Sequence, residues 1–180
     1  MATPDDCTED IFLPGGRLRL ELLSDSAVEA LKESLRLARE TRWDSVRSPH
    51  VFMGLLSAPD ASVCNWGDRL QADLNKLLGQ FQELFHQDDG EEEAVLVLNR
   101  EFLSDNVIRL LREAFNRAVD HHRGKITPMD LLISLLTASN SIVAECFERI
   151  GVTAAKLTEL AVMAEHSGRG DNERGEKAKK

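Results

Sequence analysis

Gly124-Lys125 is the only glycine-lysine pair in the chain, so it is the one place where a phosphate-binding loop could close. In G-x-x-x-x-G-K-[ST], backbone N–H groups cradle the phosphates and the hydroxyl after the lysine holds magnesium. Here Ile126 follows the lysine and Val119 stands where the first glycine belongs, so no nucleotide site is encoded. His121-His122 is the only adjacent histidine pair. On a helix neighbouring side chains point about 100° apart, so these two do not make the i, i+4 pair that grips zinc. They read instead as a partly exposed helix end, where the local field favours a cation. Cys7, Cys64 and Cys146 are odd in number and lack C-x-x-C spacing, which points to neither a disulfide framework nor a zinc knuckle. No serine, cysteine or carboxylate sits in a nucleophile setting such as G-x-S-x-G. Arg169-Gly170-Asp171 spells an adhesion tripeptide and reads as coincidence in a polar tail. The chemistry-bearing residues thus imply no catalytic group, no metal and no cofactor, and a chain that is not an enzyme.

Charge narrows the partners. Apolar residues at 42% and charged ones at 29% are globular values, with room in 180 residues for a sizeable core. A formal charge of −9 and a pI near 5.1 argue against nucleic acid or an anionic membrane as the main partner, because both would be repelled. The stretch MATPDDCTED has neither the basic nor the apolar region of a signal peptide, and no run approaches the roughly 18 apolar residues of a membrane span. A cytoplasmic location is expected.

What must position any binding surface is a stretch that occurs twice, Leu23 to Leu56 and Leu103 to Leu136. An offset of 80 residues, 103 minus 23, lays Ser24 on Ser104, Leu31 on Leu111, Ala38 on Ala118 and Leu55 on Leu135 without a gap. The same offset carries Leu18 onto Leu98 upstream and Leu77 onto Leu157 downstream. A tandem duplication of this kind nearly fills the chain. Within each copy Val28, Leu31, Leu35 and Ala38, or Ile108, Leu111, Phe115 and Ala118, stripe one face of an amphipathic helix. Ser26-x-x-Glu29 reads as a capping box for the first of these, and Ser104-Asp105 caps its counterpart. Ser48-Pro49 and Thr127-Pro128 read as a cap followed by proline at the first helical position, each opening a helix apolar almost all round. A short third helix follows, Ala61 to Leu70 or Ser141 to Ile150, and then a fourth capped by Asp73 or Thr153. Arg17–Leu22 and Ala94–Asn99 alternate apolar and polar residues, and could pair as a short antiparallel ribbon across the repeat axis.

The repeat motif Ser48-Pro49-His50-Val51-Phe52-Met53-Gly54-Leu55-Leu56, echoed by Pro128-Met129-Asp130-Leu131-Leu132-Ile133-Ser134-Leu135-Leu136, resembles that of the Clp N-terminal domain. Clp-family AAA+ unfoldases carry two such repeats ahead of their ATPase rings, and the resemblance covers about Leu18 to Met163. It implies an all-α, pseudo-twofold domain of two four-helix units. The boundaries read as an acidic N-terminus 1–16, a first repeat 17–86, an acidic linker 87–94, a second repeat 95–166 and a disordered tail 167–180. The implied function is a non-catalytic module that binds peptides, unfolded proteins or adaptor proteins, with a Clp-family ATPase as a further partner. The alternatives are a regulatory subunit that docks on a Clp ring without holding substrate, or a small enzyme with an unrecognised site. Some Clp N-terminal domains read phosphorylated arginine with a glutamate just after the Ser/Thr of each motif. Pro49 and Met129 stand there, so phosphoarginine is not an expected ligand. His50 reads as a packed, hydrogen-bonded ring, replaced by Asp130 in the second repeat. For peptide binding, the candidates are the surplus apolar residues of the extended segments, Phe12, Leu18, Leu20, Leu22, Val95 and Val97. Trp43, more exposed than Trp66, completes the set.

Overall fold

Ser24 and Ser104 each open a helix with the same bond, the hydroxyl oxygen accepting the N–H three residues on, from Ala27 at 3.2 Å and from Val107 at 3.3 Å. The protein is seen in a computed structural model that describes residues 11–87, 96–138 and 141–178, with side chains through His166. The two helices are α1, Asp25–Glu40, and α5, Asp105–Asp120. After α1 come α2, Ser48–Ser57, α3, Ala61–Leu70, and α4, Leu74–Leu84. After α5 come α6, Pro128–Thr137, α7, Ile142–Glu148, and α8, Ala154–Ala178. Among the described residues the fold is all-α, two units of four helices, and the offset read from the sequence persists in backbone detail. Arg42 at φ 65° is matched by His122 at 59°, and Gln71 at 59° by Gly151 at 91°.

Helices that are apolar on every side must lie at the centre. Pro49 to Leu56 on α2 and Pro128 to Leu136 on α6 are all buried. Leu31, Leu55, Leu111 and Leu135 are each 2% exposed or less. Gly54 lets α1 lie directly on α2, since a Cβ there would stand 2.2 Å from the Ala30 carbonyl oxygen.

The repeats are joined by exchanged backbone bonds. Leu23 bridges Ile126 and Leu103 bridges Val46, both in parallel sense. Ser24 N–H donates to Ile126 O at 2.9 Å and Ile126 N–H to Leu22 O at 2.7 Å; Ser104 N–H donates to Val46 O at 3.0 Å and Val46 N–H to Phe102 O at 2.7 Å. Each pair is the other advanced by one repeat, which places a pseudo-twofold axis between the units.

The structure departs from the sequence reading at several points. Of the ribbon only a single antiparallel bridge, Arg17 to Asn99, is present among the described residues, and Leu20–Leu22 is a 3-10 turn. The ribbon stops where the chain turns at Leu20–Leu22 and Leu22 O accepts Ile126 N–H at 2.7 Å; the opposite edge pairs with the segment upstream, where Phe12 bridges Leu18 and Arg19 N–H donates to Ile11 O at 2.8 Å. Ser26 lies inside α1, whose cap is Ser24. Arg47 rather than Ser48 holds the cap position of α2, whereas Thr127 caps α6, accepting Asp130 N–H at 3.3 Å. Helix α8 runs to Ala178, across residues whose composition marks them as disordered. Extending a helix already nucleated adds a hydrogen bond per residue without requiring a core. The acidic residues 1–10 and 88–94 lie outside the described residues.

Candidate functional site

Two seams relate the repeats, and side-chain volume makes them different. On one side α3 packs along α8, where Trp66, fully buried, donates its Nε1–H to Leu157 O at 3.1 Å. The repeat offset maps that seam onto α7 and α4. There Cys146 stands where α3 has Trp66 and Phe147 where it has Gly67, while Phe81 and Leu84 stand where α8 has Ala161 and Ala164. Phe52, Phe81 and Phe147 fill the floor, with ring centroids 4.9, 5.9 and 6.3 Å apart. With Cys146 in the place of the Trp66 that bridges the other seam, a cleft of about 130 Å³ lies between Leu77, Phe81 and Leu84 of α4 and Cys146, Phe147 and Ile150 at α7. Ile150 is 70% exposed and Leu84 56%, an unusual condition for neighbouring large apolar residues.

The cleft does not stand alone. Leu84 and Cys146 also line a space of about 160 Å³ that reaches Phe85, Ile142 and Arg149. Phe85 and Ile142 in turn line one of about 90 Å³ against Trp43, Arg47 and His50. Ser48, Asn106 and Ile142 lead on to a last one of about 80 Å³ beside Arg109 and Glu113. Each is small, but neighbouring ones share lining residues, and the row they form across the face between the repeats is the candidate groove.

The Trp43 end has a fixed geometry. Trp43 donates its Nε1–H to Phe85 O at 2.6 Å, meets His50 edge-on at 5.4 Å, and carries the Arg47 guanidinium 5.1 Å from its ring centre. His50 Nδ1 accepts Arg47 N–H at 3.0 Å, so its proton is on Nε2, facing Thr41 Oγ1 at 3.0 Å, and the Thr41 hydroxyl donates to Leu37 O at 2.7 Å. Burial, aided by the Arg47 charge, pushes the imidazole pKa down to about 4. The second repeat replaces every member of this corner: Arg117 for Leu37, Arg123 for Trp43, Asp130 for His50 and Glu165 for Phe85. Asp130, fully buried, accepts from Arg117 at 2.7 Å and from Arg123, and Arg117 also donates to both Glu165 oxygens at 2.8 and 2.9 Å. Burial would raise the Glu165 carboxyl, but the Arg117 hydrogen bonds and charge outweigh it and hold the pKa below its usual value. The first corner is an aromatic pocket wall; the second is a closed ionic knot.

Of the residues marked from sequence, only Trp43 lines the groove. Phe12 and Leu18 are core, 3% and 2% exposed, because the fold-back of residues 11–13 covers them; Phe12 has the guanidinium carbons of Arg100 and Arg112 each 5.8 Å from its ring centre. Leu22 is partly buried against the core, Leu20 and Val97 are exposed outside the groove, and Val95 lies outside the described residues. The sequence reading missed Leu84, Ile142, Cys146 and Ile150, and two of them carried a usable signal in unequal size across the repeat: Leu84 stands opposite Ala164, and Cys146 opposite Trp66. Among the described residues no cluster of His, Cys, Asp and Glu could hold a metal, and no single helix is long and apolar enough to cross a membrane.

Residues 102–179 match the family model described as the Clp repeat (R) N-terminal domain. The N-terminal domain of the caseinolytic protease associated chaperone ClpD from Arabidopsis thaliana aligns with a TM-score of 0.63 at 18% identity, over 82% of this chain and 97% of that one. The fold is that of a Clp N-terminal domain. The Hsp104 N-terminal domain from Candida albicans aligns at 0.63 and 11% identity, over 78% of this chain and 89% of that one. A structure named for a peptide from the EAEC T6SS Sci1 SciI protein aligns at 0.56 and 16%, over 82% and 91%. Comparison with curated protein sequences gives no match.

Proposed function

We propose that this Clp N-terminal domain is a non-catalytic module that holds peptides, unfolded segments or adaptor proteins in the groove between its repeats. The observation that carries the reading is the open seam, where Leu84 and Ile150 stay exposed although the same fold closes the equivalent seam over Trp66. An apolar groove between helices is a recurring way to hold a peptide. A peptide named with one of the similar structures, and a chaperone associated with a protease named with another, agree with that use. Delivery to a Clp-family ATPase follows as the expected purpose, since nothing in the sequence encodes a nucleotide site.

Binding is tested by following Trp43 emission while a Leu- and Phe-containing peptide is added, with Leu84→Asp/Ile150→Asp as the comparison. Both side chains are exposed, so the helical circular-dichroism signal should be unchanged while binding is lost. Equal binding by the two proteins would place the ligand elsewhere and overturn the reading.

A further inference from the structure

The charges along the groove are sorted. Its α4–α7 end is lined by Leu77, Phe81, Leu84, Phe147 and Ile150, with Gln80 the one long polar side chain and no charged group. In the middle Glu145 and Arg149 offset each other. At the other end Arg47 and Arg109, both exposed, face a single carboxylate in the lining, Glu113. That end also receives the N-terminus of α2, whose first turn has no acidic residue, and Ser48 and Asn106 beside it offer hydrogen-bonding side chains. A helix N-terminus carries about half a positive charge. The N-terminus of α5 adds less there, because Asp105 lies in its first turn.

From this asymmetry, and resting on the groove as the binding site, we infer that the ligand is a peptide with an apolar segment for the α4–α7 end and acidic side chains for the end at Arg47 and Arg109. The apolar part supplies area removed from water; the carboxylates set polarity, so the peptide lies in one direction along the groove. The chain as a whole carries −9, which opposes an acidic ligand at long range. Salt near 0.15 M has a screening length of about 8 Å and weakens that distant repulsion more than contacts within the groove. The preference for acidic peptide should therefore be read at that ionic strength or above.

Three amidated synthetic peptides test the inference, sharing one Leu- and Phe-rich core and ending in Asp-Glu, Asn-Gln or Lys-Lys. Fluorescence anisotropy with the full chain at 0.15 M salt should rank them in that order, with Asp-Glu about fivefold or more tighter than Asn-Gln. Arg47→Glu/Arg109→Glu should invert the order of the charged peptides, and Arg109→Glu alone, which leaves the Arg47–Trp43 contact intact, should move the order in the same direction. Equal affinities, or Lys-Lys tightest with the native chain, would defeat the charge assignment while leaving the groove in place. Failure of all three peptides to bind would remove both.

Discussion

The seam between α3 and α8 and the seam between α4 and α7 are built from the same positions of a duplicated sequence, yet one is closed and the other is a cleft. Gly67, Ala161 and Ala164 on the closed side allow Trp66 to reach the backbone of α8; at the matching positions Phe147 and Phe81 fill the floor, Leu84 stands exposed at the rim, and Cys146 replaces the bridging Trp66. Interiors are packed densely enough that enlarging Gly67 and Ala161 to phenylalanine while reducing Trp66 to cysteine changes how the helices meet. The corners diverge likewise. Trp43, His50 and Phe85 form a neutral wall beside the groove, while Arg117, Asp130 and Glu165 tie α5, α6 and α8 into a knot that Arg123 joins from the loop after α5. Duplication supplied two copies of each feature, and substitution turned one of each towards stability and the other towards access.

The comparison breaks most severely at Trp66. Replacing it by alanine empties the closed seam and removes the bond to Leu157 O, and should cost about 3–5 kcal/mol in a chemical-denaturation series. A cost near that of a surface change would mean that α8 does not depend on this seam.

An intermediate effect separates the two corners by pH. The folded His50 pKa is near 4, below an unfolded value of about 6.5, so its contribution is complete above pH 6.5 and is lost as the pH falls towards 4. That interval is worth roughly 3 kcal/mol. Protonating Nδ1 would also remove the acceptor for Arg47 N–H. Unfolding free energies measured across this range should fall with acidification, and His50→Gln should flatten that part of the profile; an unchanged slope in the variant would assign the effect to other groups.

The smallest effect sharpens the comparison instead of breaking it. Leu84→Ala and Ile150→Ala remove exposed side chains and should change stability by only about 0.5 kcal/mol each. Thermal melts would check this, and a loss of several degrees for either variant would show the open seam to be a working part of the core.

The helix count, the register and the central place of α2 and α6 were legible because they depend on periodicity and on a gapless offset. Leu31, Leu55, Leu111 and Leu135 sit in the core that the offset assigned to them. The groove was not legible in the same way. Its existence depends on which volumes face each other across α4 and α7, and no local pattern records that Phe81 meets Phe147. The extended segments drew attention because Leu18, Leu20 and Leu22 alternate with charges, yet Ile11 and Phe12 pair back along them and make Leu18 core, while Leu20 stays exposed away from the groove. Comparing the repeats for unequal size, as well as for likeness, would have pointed to Leu84 and Phe147.

The exchanged backbone bonds at Leu23, Val46, Leu103 and Ile126 have the pattern of an isologous dimer: each half gives the other what it receives. Two identical repeats could meet through those same bonds, but in such a dimer both seams would be copies, both closed or both open. Only when the halves are one polypeptide can a mutation reach a single seam. Fusion therefore sets the stoichiometry: a symmetric ancestor with an open seam would offer two equivalent grooves, whereas this chain offers one, with two distinguishable ends.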